Sequence, residues 1–147
     1  ASTVTQSERE ELDINRFEML WELYARAGLL CFKECLSELR KTTGTVLFFG
    51  ASRTAGDFAF KSAKDATRGL ARALAGQYGS EGIQVTHVVI NGMIANPDVF
   101  ERYDDVVEQE LIDPDGLADT CMDLIEQPGR SRTFELDVHA ADATPSL

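Results

Sequence analysis

Thr45-Val46-Leu47-Phe48-Phe49, then Gly50-Ala51-Ser52, then a helical stretch from about Asp57 to Gln77, then Ile83-Gln84-Val85-Thr86-His87-Val88-Val89-Ile90 decide the fold. A short apolar run bounded by glycines reads as a strand buried on both faces, as in a parallel sheet. Strand, helix and strand in that order form a right-handed βαβ crossover. The helix is rich in small residues, Ala59, Ala63, Ala66, Gly69, Ala73 and Gly76. Small residues let helices approach closely, although each glycine costs about 1 kcal/mol of helix propensity.

Outward from this unit, Asn15 followed by Glu18 fits a capping box that starts a helix at about Arg16 and runs to residue 40. Phe17, Leu20, Trp21, Tyr24, Gly28, Cys31 and Cys35 make one stripe on it, and Met19, Leu23, Ala27 and Leu30 a second. A helix on one sheet face needs a single stripe. Two predict burial against the sheet and against another helix. After Asn96-Pro97, an acidic segment from Asp98 to Glu110 suggests a helical flap over the strand ends. Asp113 as N-cap and Pro114 at the first helical position open a third helix to residue 127, with Leu117, Cys121, Leu124 and Ile125 inward. Residues 133–138 alternate as a last strand. Residues 1–12 read as a flexible arm and 140–147 as a tail.

At 147 residues and 44% hydrophobic, the chain is one α/β domain with room for a core. Its formal charge of −11 excludes nucleic acid and anionic membrane surfaces as partners. No apolar run is long enough to span a membrane, which suits a soluble chain of the cytoplasm or an organelle matrix. Cys31, Cys35 and Cys121 read first as small core residues and second as a metal or redox set; no metal site is expected. His87 falls mid-strand, where an imidazole is a hydrogen-bonded core residue. The chain opens Ala1-Ser2-Thr3 rather than on methionine, which suits a removed leader or a longer parent protein.

The order of these pieces resembles the second half of a short-chain dehydrogenase/reductase. The resemblance is carried by the Gly50-Ala51-Ser52 turn, Phe60 four residues before Lys64, the Gly82-Ile83-Gln84-Val85 strand start and the Asn91-Gly92-Met93-Ile94 loop. Leu111-Ile112-Asp113-Pro114 and Thr133-Phe134-Glu135-Leu136-Asp137 resemble the last helix and last strand of one atypical branch. The likeness covers nearly everything after residue 12. It implies a Rossmann-like half fold over 13–139, with three or more parallel strands flanked by long helices. Helices 16–40 and 57–77 would pair across an oligomer axis.

In that family a tyrosine phenol moves the proton, a lysine lowers its pKa and holds the ribose, and a serine orients the substrate oxygen. The matching positions here are Phe60, Lys64 and Ser52, and Tyr24 stands where an asparagine is usual. Phenylalanine has no exchangeable proton, so acid–base work at residue 60 is impossible. If a cofactor is bound, Lys64, Asn91, Gly92 and Ile94 would face it. The glycine-rich dinucleotide turn belongs to an N-terminal half that has no counterpart here. Gly50 to Gly56 mimics such a turn, but the helix after it resembles the tyrosine–lysine helix instead.

Three functions remain open. One is a non-catalytic accessory or structural subunit, homo- or hetero-oligomeric through the two helices and an open sheet edge, with no cofactor in the isolated chain. The second is an NAD(P)-dependent oxidoreductase whose nucleotide-binding half is a separate or removed segment. The third is a small-ligand module using the crevice at the strand ends.

Overall fold

The computed structural model describes residues 12–51, 56–103 and 107–141. Most of the expected arm and tail, Ser52, and the middle of the acidic segment lie outside the described residues. Within them the elements are α1 (Ile14–Trp21), a π-helical turn (Glu22–Arg26), α2 (Ala27–Thr42), β1 (Thr45–Ala51), α3 (Phe58–Tyr78), β2 (Gln84–Asn91), α4 (Pro97–Arg102), α5 (Pro114–Ile125) and β3 (Glu135–His139). The long first helix is thus one helical run with a π turn in its middle.

The described strands form one sheet in the order β1-β2-β3, and both neighbouring pairs are parallel. β2 is central and mostly buried, as its β-branched run requires. Phe48, His87 and Glu135 stand side by side in register. That face carries α3, whose Arg68 reaches Glu135. The opposite face carries α5, where Gln84 Nε2 donates to the Leu124 carbonyl at 3.1 Å. One core cluster joins Phe32 of α2, Phe48, Val85 and Leu74 of α3. A second joins Leu20 of α1 to Ala59 and Ala63 of α3, where alanines let the two helices touch.

Several expectations need correction. The first helix is capped by Asp13, whose carboxylate accepts the Arg16 N–H at 3.1 Å, so Asn15 lies inside the helix. The second stripe is not buried: Met19, Leu23 and Leu30 are 55%, 58% and 42% exposed, because no described element covers that side. Cys31 and Cys35 are exposed for the same reason and are not core residues. On α5, Leu124 is buried but Ile125 faces outward, because the helix ends there and its last residue has turned off the inner face. The last strand starts two residues later than expected. Thr133 is spent first, its N–H on Gln127 and its carbonyl on the Thr86 hydroxyl.

No described helix is long and apolar enough to cross a membrane. Among the described residues no cluster of three or more histidines, cysteines or carboxylates gathers as for a metal ion.

Candidate functional site

α3 starts at a carboxylate cap. Asp57 accepts the Phe60 N–H at 2.9 Å and the Arg16 guanidinium at 2.8 Å. These bonds hold its carboxyl below the usual carboxylate range. The cap fixes the phase of the helix, so Phe60 and Lys64, one turn apart, project on the same side. From the other helix, the π turn brings in Tyr24. A π turn adds a residue and widens the helix locally. The Tyr24 ring meets Phe60 edge-on, with centroids 5.7 Å apart and planes at 88°.

Lys64 Nζ lies between these rings, 4.0 Å from the Tyr24 centroid and 5.6 Å from that of Phe60. It donates to the Phe49 carbonyl at 3.3 Å. A cation over an aromatic face is worth about 0.5–1 kcal/mol when partly exposed. Burial works the other way and pulls the Lys64 pKa below its ordinary value. The structure therefore joins Lys64 to Phe60, as the spacing required, and adds Tyr24, so that a phenol does reach the cluster from α1's side.

Asn91, Gly92 and Ile94 lie at the end of β2 and in the loop after it. Their loop is stitched to the segment before α5: Ile112 N–H donates to the Met93 carbonyl at 2.8 Å and Ala95 N–H to that of Ile112 at 2.9 Å. Asn96 then caps α4 by accepting the Val99 N–H.

A second polar group lies deeper, and the sequence pointed only to its histidine. Glu135 accepts two bonds from Arg68, at 2.6 and 2.5 Å, and one from His87 Nδ1 at 3.0 Å. The His87 side chain is 3% exposed. With Nδ1–H on the carboxylate, the buried Nε2 has no hydrogen-bond partner among the described residues. It lies against Gly50, where a Cβ would sit 2.4 Å away. Residue 50 is therefore glycine because the imidazole occupies the place of a side chain. Burial, the largest influence, lowers the His87 pKa against the pull of Glu135. The Arg68 hydrogen bond, foremost, lowers that of Glu135. Arg68 and Glu135 are 67 positions apart, so no local period reveals them.

The start of the helix after β1 does not suit a pyrophosphate. A pyrophosphate needs a helix N-terminus with free N–H groups and favourable charge. The helix directly after β1 already holds the Asp57 carboxylate there.

No family model matches the chain, and no curated protein matches it. Solved structures do. A short-chain dehydrogenase from Rhodopseudomonas palustris is 24% identical with a TM-score of 0.67, covering 95% of this chain and 58% of that one. An alcohol dehydrogenase from the archaeon Thermococcus sibiricus, complexed with 5-hydroxy-NADP, is 20% identical with a TM-score of 0.73, covering 94% and 59%. A short-chain dehydrogenase/reductase family oxidoreductase from Brucella ovis, in complex with a partially ordered NAD, is 17% identical with a TM-score of 0.65, covering 88% and 55%. The protein thus has the fold of the short-chain dehydrogenase/reductases, over little more than half the length of these solved chains.

Proposed function

We propose that the chain is a non-catalytic accessory or structural subunit, assembled with partner chains. The observation that carries this is Phe60: the position beside Lys64 that would hold a phenol holds a ring without a proton to give. The exposed stripe Met19, Leu23 and Leu30 is apolar surface of the kind that marks an interface. On α3, a Cβ at Gly69 would meet nothing, so that face is open to close approach by another helix. The purified chain should transfer no hydride between NAD(P)H and a panel of carbonyl compounds. Steady turnover would overturn the proposal.

One observation favours a second reading, an NAD(P)-dependent oxidoreductase whose nucleotide-binding half is another segment. The Tyr24 phenol shares the cluster with Lys64 and offers a proton donor that Phe60 lacks. On that reading Tyr24→Phe abolishes activity in the complete assembly and Phe60→Tyr raises it. On the subunit reading neither substitution changes a rate.

A further inference from the structure

The chain has lysine at 33, 41, 61 and 64. Lys33, Lys41 and Lys61 are exposed, and Lys41 is paired with Glu38 at 2.6 Å. Lys64 is half-buried and pairs with no carboxylate among the described residues. Around its Nζ stand the Tyr24 ring at 4.0 Å, the Phe60 ring at 5.6 Å and the Phe49 carbonyl at 3.3 Å.

These surroundings are poorly matched to an ammonium. An ammonium carries three N–H donors, and the described residues offer this one a single acceptor. Burial lowers the Lys64 pKa. At a given pH more of this amine is therefore neutral, and nucleophilic, than of an exposed lysine. A desolvated lysine beside apolar walls is the form in which this side chain attacks a carbonyl carbon.

The product of that attack suits the place better than the amine does. A protonated imine keeps one N–H, which matches the single Phe49 carbonyl, and keeps a positive charge for the Tyr24 face. The carbonyl compound's own substituent then lies against Tyr24 and Phe60, whose planes meet at 88°. Aromatic rings prefer offset or edge-to-face contact, so a flat aromatic substituent is the shape this corner takes. A carboxylate would be less welcome. Arg68, one turn further along α3, is already bound to Glu135, and the chain's net charge is −11.

We propose that Lys64 is a covalent binding site for a neutral aromatic aldehyde, held as an imine between Tyr24 and Phe60. The neutral amine adds to the carbonyl carbon, forming the C–N bond as the C=O π electrons move to oxygen. Protonation of that oxygen and loss of one water leave the C=N bond, and nothing is oxidised or reduced. The proposal asks for neither hydride transfer nor a partner chain. It goes beyond both readings of the function, and its failure leaves them as they stand.

Benzaldehyde and cyanoborohydride test it on the purified chain, the borohydride fixing each imine as a benzylamine for peptide mass spectrometry. Lys33, Lys41 and Lys61 are the internal references. Lys64 should be benzylated about tenfold faster than any of them, or more. Glyoxylate, an anionic aldehyde, should show no such preference. In a Tyr24→Leu chain with unchanged circular dichroism, the preference of benzaldehyde for Lys64 should fall several-fold. Equal labelling of all these lysines, or slower labelling of Lys64, overturns the proposal. An equal preference with glyoxylate overturns the aromatic aldehyde as its ligand. An undiminished preference in Tyr24→Leu overturns the seat between the rings.

Discussion

Two cations on α3, one turn apart, have opposite surroundings. Arg68 is held by a carboxylate that also holds a buried imidazole, so its charge is answered from β3 and the network is closed. Lys64 has two ring faces and one carbonyl, and no described carboxylate pairs with it. The difference follows position in the sheet. Arg68 reaches across β2, where a third strand supplies the acid. Lys64 sits beside β1, the outer strand of the three described. Enclosed polar groups must find partners within the chain, and here Glu135 and His87 Nδ1 do while His87 Nε2 does not among the described residues. Groups at an edge keep bonding capacity that an incoming molecule could use, so the inner network is the more closed of the two and the outer one the more open.

The comparison breaks most forcefully at Gly50. Gly50→Ala places a methyl group 2.4 Å from His87 Nε2, and the ring cannot yield without leaving Glu135. Overpacking of this kind costs about 1–3 kcal/mol, and a buried histidine tied to a carboxylate belongs at the upper end. Denaturant unfolding should show a loss of about 2–3 kcal/mol. A loss below about 0.5 kcal/mol would mean that the imidazole is free to move and the network is not closed.

The inner network also sets a pH dependence. His87 has its pKa lowered by burial, and Glu135 has its pKa lowered chiefly by Arg68. A group whose pKa is lower in the folded state contributes stability above its unfolded value and loses it as pH falls through its folded value. For His87 the loss starts near the ordinary imidazole value of about 6.5, and for Glu135 near the ordinary carboxyl value of about 4.3. The midpoint of urea unfolding should therefore fall as pH drops below neutral, first on account of His87 and then of Glu135. In Glu135→Gln the second decline should shrink. A midpoint that rises on acidification would reverse the assignment of His87 as buried and neutral.

The sheet was legible in the sequence because its evidence is local. Val46 to Phe49 is an apolar run and Val85 to Ile90 a β-branched one, both flanked by glycines, and Asp113-Pro114 marks a helix start on its face. The N-cap of the first helix was not, since Asp13 and Asn15 are both good capping residues two positions apart and only the backbone decides between them. Cys31 and Cys35 misled because a helical stripe tells which residues share a side, not whether anything covers it. The pairing of Phe60 with Lys64 followed from a spacing of four. The arrival of Tyr24 depends on a π turn that no propensity announces, and Glu135 comes from the far end of the chain.

The smallest expected effect separates the two cations most cleanly. Arg68→Met removes the partner of a mostly enclosed carboxylate, and a buried acceptor left unsatisfied costs about 1–3 kcal/mol. Lys64→Met removes a cation over Tyr24 worth about 0.5–1 kcal/mol, but it also removes a charge that burial disfavours, as its lowered pKa records. The two contributions oppose each other, and methionine keeps an apolar chain against the same rings. Lys64→Met should therefore leave stability within about 0.5 kcal/mol of the parent, while Arg68→Met lowers it several-fold more. Parallel urea titrations of the two variants check this. If Lys64→Met proved the more damaging, Lys64 would be part of the folded framework, as Arg68 is.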